Sequence, residues 1–215
     1  MVQSSFKQYT IQTPNESHAA GMAALQKVVF PTLSDKELIS ESDYISYLAL
    51  FKEGQLVVLD GDKIIGASTT FRYNYHPGFH TFLEITDNMS LSKHDPNGEW
   101  LYGVDVSIEP SYQRQGIGGA IYQIRQQIAK QLGCKGQLTV GMTNGYDLCR
   151  NEMTIEEYCK KLELGELKDP TVSAQIKNGF RWIEPFFNYL DDPKSGNAGI
   201  SIYWPIDPNM TIADL

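Results

Sequence analysis

Apolar residues change their period several times along the chain, and each change predicts an element. Ser5 to Gln12 alternates as a strand does. Asn15 is placed to cap a helix whose stripe is Ala19, Met22, Ala23, Leu25 and Val29, stopped by Pro31. The stretch LSDKELISESDYISYLALF predicts a second helix, with Ser34 and Glu37 at the spacing of a capping box. QLVVLDGDKIIGASTTFRY predicts a hairpin turning at Asp60-Gly61-Asp62. Asn74 to Gly98 reads as a long loop containing most of the histidines, and WLYGVDVSI then predicts a strand. Ile117, Ile121, Ile124, Ile128 and Leu132 form a helical stripe ended by Gly133.

GQLTVGM predicts the next strand. The polar segment 143–168 carries a helix around Ile155 to Leu162, and Asp169-Pro170 opens another that Gly179 closes. FRWIEPFFNYL and AGISIYW are two final strands. No internal repeat or low-complexity linker interrupts the pattern. The expectation is one α/β (α+β) domain over residues 1–215, with a mostly antiparallel mixed sheet flanked by helices. At its centre is a strand–glycine loop–helix–strand unit.

Composition narrows the chemistry. The formal charge is −8 and no Lys/Arg cluster stands out, which argues against nucleic-acid and anionic-membrane partners. An acidic surface suits a cationic acceptor such as an amine, although solubility alone also explains it. No apolar run is long enough to span a membrane, and the first residues carry no basic-then-apolar signal pattern. Cys134, Cys149 and Cys159 show no CxxC spacing, which suggests reduced thiols in a cytoplasm and neither a disulfide framework nor a zinc site. His76, His80 and Glu84 are spaced by four, but Pro77-Gly78 breaks the helix that would gather them, so no metal is expected. Gly-x-Ser-x-Gly is absent from the sequence.

The segment YQRQGIGG, Tyr112 to Gly119, lies between the WLYGVDVSI strand and the isoleucine helix. Bare amides at a helix start, with the helix dipole behind them, favour a phosphate. Tight helix–sheet packing is the other reason for such glycines. Ile121 stands where a dinucleotide fingerprint needs its last glycine, and the Gly-Lys-Ser/Thr of a P-loop is missing.

Gln113-Arg114-Gln115-Gly116-Ile117-Gly118 resembles motif A of the GNAT acetyltransferases, Gln/Arg-x-x-Gly-x-Gly/Ala. LTVGMTN resembles the strand after that family's central helix, and AQIKNGF its Tyr-x-x-x-Gly-Phe junction. Over most of its length the chain is similar to the GNAT domain found alone or fused to nitrilase-like hydrolases. The resemblance implies that Gln113, Arg114, Gln115, Gly116, Ile117, Gly118 and Gly119 cradle the pyrophosphate of acetyl-CoA. It implies that the Val106, Ser107 and Ile108 edge faces the thioester, and that Asn144 touches the cofactor. The activity implied is direct transfer of an acetyl group to an amine of a small molecule or peptide. A weak or inactive acetyl-CoA-binding sensor or docking module is the alternative. The segment at about 145–168 is an insertion placed where the acceptor enters, and a homodimer is an admissible assembly.

Transfer needs a base, an oxyanion donor and an acid for the departing thiolate. A backbone amide of the strand edge can serve the oxyanion. Asp105 is the candidate base, because a carboxylate inside a central strand is costly unless it is paired or faces a cleft; a salt bridge or a hydrogen bond to a neighbouring loop is the other explanation. Strand alternation puts it opposite Val104 and Val106 unless a bulge intervenes. Glu84 is the alternative. Gln175 stands where family members commonly have the acidic tyrosine, so Tyr146 is the substitute acid and Tyr189 the second choice.

Overall fold

In the computed structural model, which describes residues 4–6 and 9–215, one eight-stranded sheet forms the framework. The strands are β1 (Ser4–Phe6), β2 (Tyr9–Gln12), β3 (Leu56–Asp60), β4 (Lys63–Tyr73), β5 (Trp100–Ile108), β6 (Gly136–Met142), β7 (Arg181–Phe186) and β8 (Gly199–Pro205). Their order is β1-β2-β3-β4-β5-β6-β8-β7, and β5–β6 is the one parallel pair among the described residues. Helices α1 (Ala19–Val29), α2 (Glu41–Phe51), α3 (Phe82–Thr86), α4 (Ile117–Gln131), α5 (Ile155–Glu163) and α6 (Val172–Lys177) complete the mixed architecture.

The sheet divides the core in two. Met22 and Leu25 of α1, with Tyr44 and Tyr47 of α2, pack on Phe71, Trp100 and Tyr102. On the opposite face Ile117, Ile121, Ile124 and Ile128 of α4 pack on Leu101, Leu56 and Ile65. Each of these α4 isoleucines is nearly inaccessible and contributes roughly 1.5–3 kcal/mol by burial. The predicted stripe on α4 is therefore the one the fold uses.

Three expectations are corrected. The strand expected over Ser5 to Gln12 is two antiparallel strands, with Phe6 opposite Tyr9; Lys7 and Gln8 lie outside the described residues. The helix expected from Ser34 breaks after a short 3-10 turn at Asp35–Glu37. Ser34 makes no side-chain cap there, because Glu37 is buried and accepts from the Asp191 amide at 2.9 Å. The capping box is made one turn later by Ser40 and Asp43, at the start of α2. The long loop 74–98 contains α3, which Thr81 and Glu84 box. Among the described residues no helix is long and apolar enough to cross a membrane.

The sheet positions the site by coming apart. β5 pairs with β6 only from Trp100–Gly136 to Gly103–Thr139. Beyond that point Val104–Ile108 stays on β4 and Val140–Met142 stays on β8, so two strand edges face each other across a wedge with no strand between them.

Candidate active site

Helix α4 begins at the mouth of this wedge. Gly116 precedes it with φ 89°, and Arg114 has φ 60°; both are in the left-handed region, which glycine enters without strain. No side chain caps the helix start, so its first amides and the positive end of its dipole are presented outward. Gln113, Arg114, Gln115 and Gly116 are exposed, whereas Ile117 is buried and anchors the turn. The two glutamines brace the loop: Gln113 Nε2 donates to the Ile108 carbonyl at 3.1 Å, and Gln115 Nε2 to the Ser111 carbonyl at 3.2 Å.

The two explanations for the glycines separate here. A Cβ on Gly118 would meet only Ile108 Cδ1, at 3.4 Å, and one on Gly119 only Asn178 Oδ1, at 3.6 Å. Both are ordinary contacts, so neither glycine is needed for close helix–sheet packing. What their bare backbone leaves open is the approach to the helix amides.

Asp105 lies on the edge of the wedge, and a bulge decides where it points. Thr69 pairs with Asp105 and Thr70 with Gly103, so Val104 is the extra residue. The bulge puts Asp105 on the same face as Val104, which packs in the α1–α2 core, and opposite Val106. Simple alternation would have opposed Asp105 to both valines. Asp105 Oδ2 accepts from Gln26 Nε2 of α1 at 2.9 Å and from Ser107 Oγ at 2.7 Å. The same Gln26 nitrogen lies 2.9 Å from the Tyr44 hydroxyl and 2.8 Å from Ser107 Oγ. Asp105 Oδ1 is buried without a partner. Burial pushes the Asp105 carboxyl above the ordinary aspartate range, and the bonds from Ser107 and Gln26 oppose the shift. Such a carboxylate is a stronger base than a solvated one.

The Acetyltransferase (GNAT) family model matches residues 22–146, which holds the wedge, the glycine loop and α4. The chain belongs to the GNAT acetyltransferase family. It is 30% identical over 202 residues to "Uncharacterized N-acetyltransferase YkwB" of Bacillus subtilis, covering 93% of this chain and 89% of that one. It is 31% identical over 188 residues to "Probable hydrolase YhcX" of the same organism, covering 86% of this chain but only 36% of that longer protein. Among solved structures, the loading GNATL domain of CurA from Lyngbya majuscula superposes with a TM-score of 0.77 at 21% identity, covering 92% of this chain and 98% of that one. The GphF GNAT-like decarboxylase in complex with isobutyryl-CoA follows at 0.74 and 18%, covering 91% and 98%. These likenesses establish the GNAT fold, and the chain is a GNAT-type acyltransferase.

The other candidate residues of this GNAT domain are dispersed around the wedge. Asn144, just past the end of β6, spends its amide nitrogen on Thr171 Oγ1 at 2.8 Å, tying that strand end to the start of α6. Tyr146 lies in the following 3-10 turn; its ring meets Tyr158 edge-on and its hydroxyl donates to the Met153 carbonyl at 3.3 Å. Asp105 and Tyr146 share no hydrogen-bond partner. Glu84 is engaged in the α3 capping box, and bonds from Thr81 hold its carboxyl below the usual range. Tyr189 is buried, 3.3 Å from the Tyr102 hydroxyl, which in turn lies 3.1 Å from His80 Nε2. Burial pushes His80 down to about 4, so it is neutral at pH 7. Among the described residues, no group of three or more His, Cys, Asp or Glu side chains is arranged to hold a metal.

Two residues of the wedge escaped the sequence reading, and both left a trace in it. Gln26 is a glutamine next to Leu25 on the apolar side of α1, buried to 2% exposure. Arg125 stands four residues after Ile121, in the isoleucine stripe of α4, buried to 1%. A polar residue in register with a buried stripe is the signal in each case.

Proposed function

We propose that the chain transfers an acetyl group from acetyl-CoA directly to an amine of a small molecule or peptide, with the thioester lying in the wedge between β5 and β6. The observation that carries this reading is the uncapped start of α4 beside the wedge, with Gly118 and Gly119 left bare where the protein has room for a Cβ. The amides of Gly116 to Gly119 would take the pyrophosphate, with Gln113 and Gln115 bracing the loop and Arg114 adding charge. The pantetheine arm would follow the unpaired edge Val106–Ile108, whose backbone amide serves the oxyanion that forms when the amine attacks the thioester carbon.

Asp105 is the base in this reading, raised by burial and oriented by Gln26 and Ser107. It takes the proton of the attacking amine, directly or through one water. Tyr146 is the proposed acid for the departing thiolate, its hydroxyl engaged by a long bond to Met153 and no other. Asn144 would steady the far side of the wedge through its bond to α6.

A panel of amines incubated with acetyl-CoA, with free CoA thiol as the readout, tests the proposal. An acceptor that releases thiol in proportion to an acetylated product is the expected result. Saturable acetyl-CoA binding with no acceptor from any amine class would instead assign the chain as a CoA-binding sensor or docking module.

A further inference from the structure

Eleven side-chain N or O atoms among the described residues are buried without a hydrogen-bond partner, and five of them share one layer. They are Arg125 Nε and Nη2, both polar atoms of the Gln137 amide, and Gln175 Oε1. The layer lies between the sheet at the apex of the wedge and helices α4 and α6. Gln137 sits opposite Leu101 and Thr139 opposite Gly103, the last paired positions before β5 and β6 diverge.

The backbone is shaped to admit these side chains. A Cβ on Gly103 would fall 1.7 Å from Arg125 Nη2, so the Nη2 end of the guanidinium takes the place of a side chain at the apex. A Cβ on Gly141 would fall 2.0 Å from Gln175 Oε1. Each of the two diverging strands thus gives up a side chain to house a polar group from a helix. Tyr122, one turn before Arg125, has its ring 5.7 Å from the guanidinium carbon, and its hydroxyl stands against the Gln175 amide.

Among the described residues Arg125 forms no ion pair; the four that form are all elsewhere. The groups that act on it are the Tyr122 hydroxyl on its own helix and Asp105 on β5, which the bulge turns to the other face of the strand. A buried guanidinium with free donors costs several kcal/mol unless it is paired, and hydrophobic residues of similar volume are often as stable or better. A planar fork of donors fits a carboxylate. From Ile108, beside the cradle, back to Gly103 is five strand steps, about 17 Å, a distance the pantetheine arm of a CoA thioester is built to span.

We propose that this layer is a carboxylate-binding subsite with Arg125 as its cation, so that one of the two reactants carries a free carboxylate at the wedge apex. The proposal rests on the acyl-CoA reading given above. Its two sources are a dicarboxylic acyl group, such as malonyl or succinyl, and the carboxylate of an amino-acid acceptor.

Calorimetry on the intact chain with CoA, acetyl-CoA, malonyl-CoA and succinyl-CoA tests the first source. KM for α-amino acids against their carboxamides, with acetyl-CoA as donor, tests the second. A preference of about 30-fold or more for the carboxylated ligand in one arm is expected, the lower end of what a buried charge pair is worth. Arg125→Met should bring that ratio to about one, and Arg125→Lys should recover part of it. Ratios near one in both arms, with acetyl-CoA still bound by the wild-type chain, overturn the subsite and leave the acyl-CoA reading standing. If no CoA thioester binds at all, the acyl-CoA reading fails and the subsite falls with it. Should Arg125→Met fail to fold, the wild-type ratios decide alone.

Discussion

Gly118 is where the proposed cofactor cradle is most directly testable, because the fold and the proposed ligand place opposite demands on it. It is the second residue of α4 and its φ is not in the left-handed set, so nothing in the backbone demands glycine. Glycine inside a helix costs up to about 1 kcal/mol relative to alanine. An added Cβ makes a single 3.4 Å contact with Ile108 Cδ1, which is no clash. Gly118→Ala should therefore stabilise the free protein by about 0.5–1 kcal/mol. For a chain of this size that raises the melting midpoint by roughly 1–4 °C. Gly118→Leu gains similar helix propensity, but its branched end extends over the amides beside Ile108. Losing two hydrogen bonds from amides to a pyrophosphate, at about 1.5–3 kcal/mol each, weakens binding by more than about 100-fold. Alanine is the size control, since the motif the loop resembles admits it. Differential scanning fluorimetry and calorimetry with acetyl-CoA read the two halves. A Gly118→Leu variant that is folded and binds acetyl-CoA as tightly as wild type would refute the cradle. A Gly118→Ala variant that melts several degrees lower would refute the claim that the protein leaves room there.

Asp105→Asn should lower turnover by about 100-fold or more, the usual scale for losing a general base, while acetyl-CoA affinity holds; unchanged turnover removes Asp105 from the mechanism. The same variant has a stability signature. Because burial raises the folded-state pKa of Asp105, the folded protein holds this proton more tightly than the unfolded chain. Its ionisation therefore costs stability as pH rises through the folded pKa, and the neutral amide avoids that cost. The midpoint of Asp105→Asn at pH 7 should equal or exceed that of wild type, and the gap should close as the pH falls below the ordinary aspartate range. In wild type, kcat/KM should rise with pH through an apparent pKa above that of a solvated aspartate. Tyr146→Phe, which removes the hydroxyl bonded to Met153, should lower kcat by about 100-fold with little change in KM. Wild-type kcat in that variant would place the acid elsewhere.

The sequence was most informative where one physical rule acts locally. The isoleucine period of α4, the Asp60-Gly61-Asp62 turn and the glycine loop are short-range patterns, and they carried the family and the centre of the sheet. It was least informative where two local rules compete. Ser34 and Glu37 have the spacing of a capping box, as do Ser40 and Asp43. Only the tertiary bond from the Asp191 amide to Glu37 settles that the second pair forms the box. The facing of Asp105 depended on a single extra residue, Val104, opposite Thr69 and Thr70. No period shows a bulge before the partner strand is known. Gln26 and Arg125 had a visible oddity, polar residues on buried stripes, but no local rule says what such a residue meets across the core.

The glycines around the wedge are of two kinds, although the sequence writes them alike. Gly103 and Gly141 are glycines because another side chain of the same protein occupies the place of the missing Cβ, 1.7 Å from Arg125 and 2.0 Å from Gln175. Gly118 and Gly119 have no such occupant, only contacts at 3.4 and 3.6 Å. The first kind is explained within the folded chain and predicts that alanine there displaces a buried polar group, at a cost of about 1–3 kcal/mol for overpacking. The second kind leaves room the fold does not fill, at a real cost in helix propensity, which the proposed ligand on the bare amides would account for. What a Cβ would hit is thus the test that separates a packing glycine from a binding glycine. By that criterion the start of α4 has the bare amides that the proposed pyrophosphate site needs, whereas the glycines at the wedge apex are explained by the polar groups they shelter.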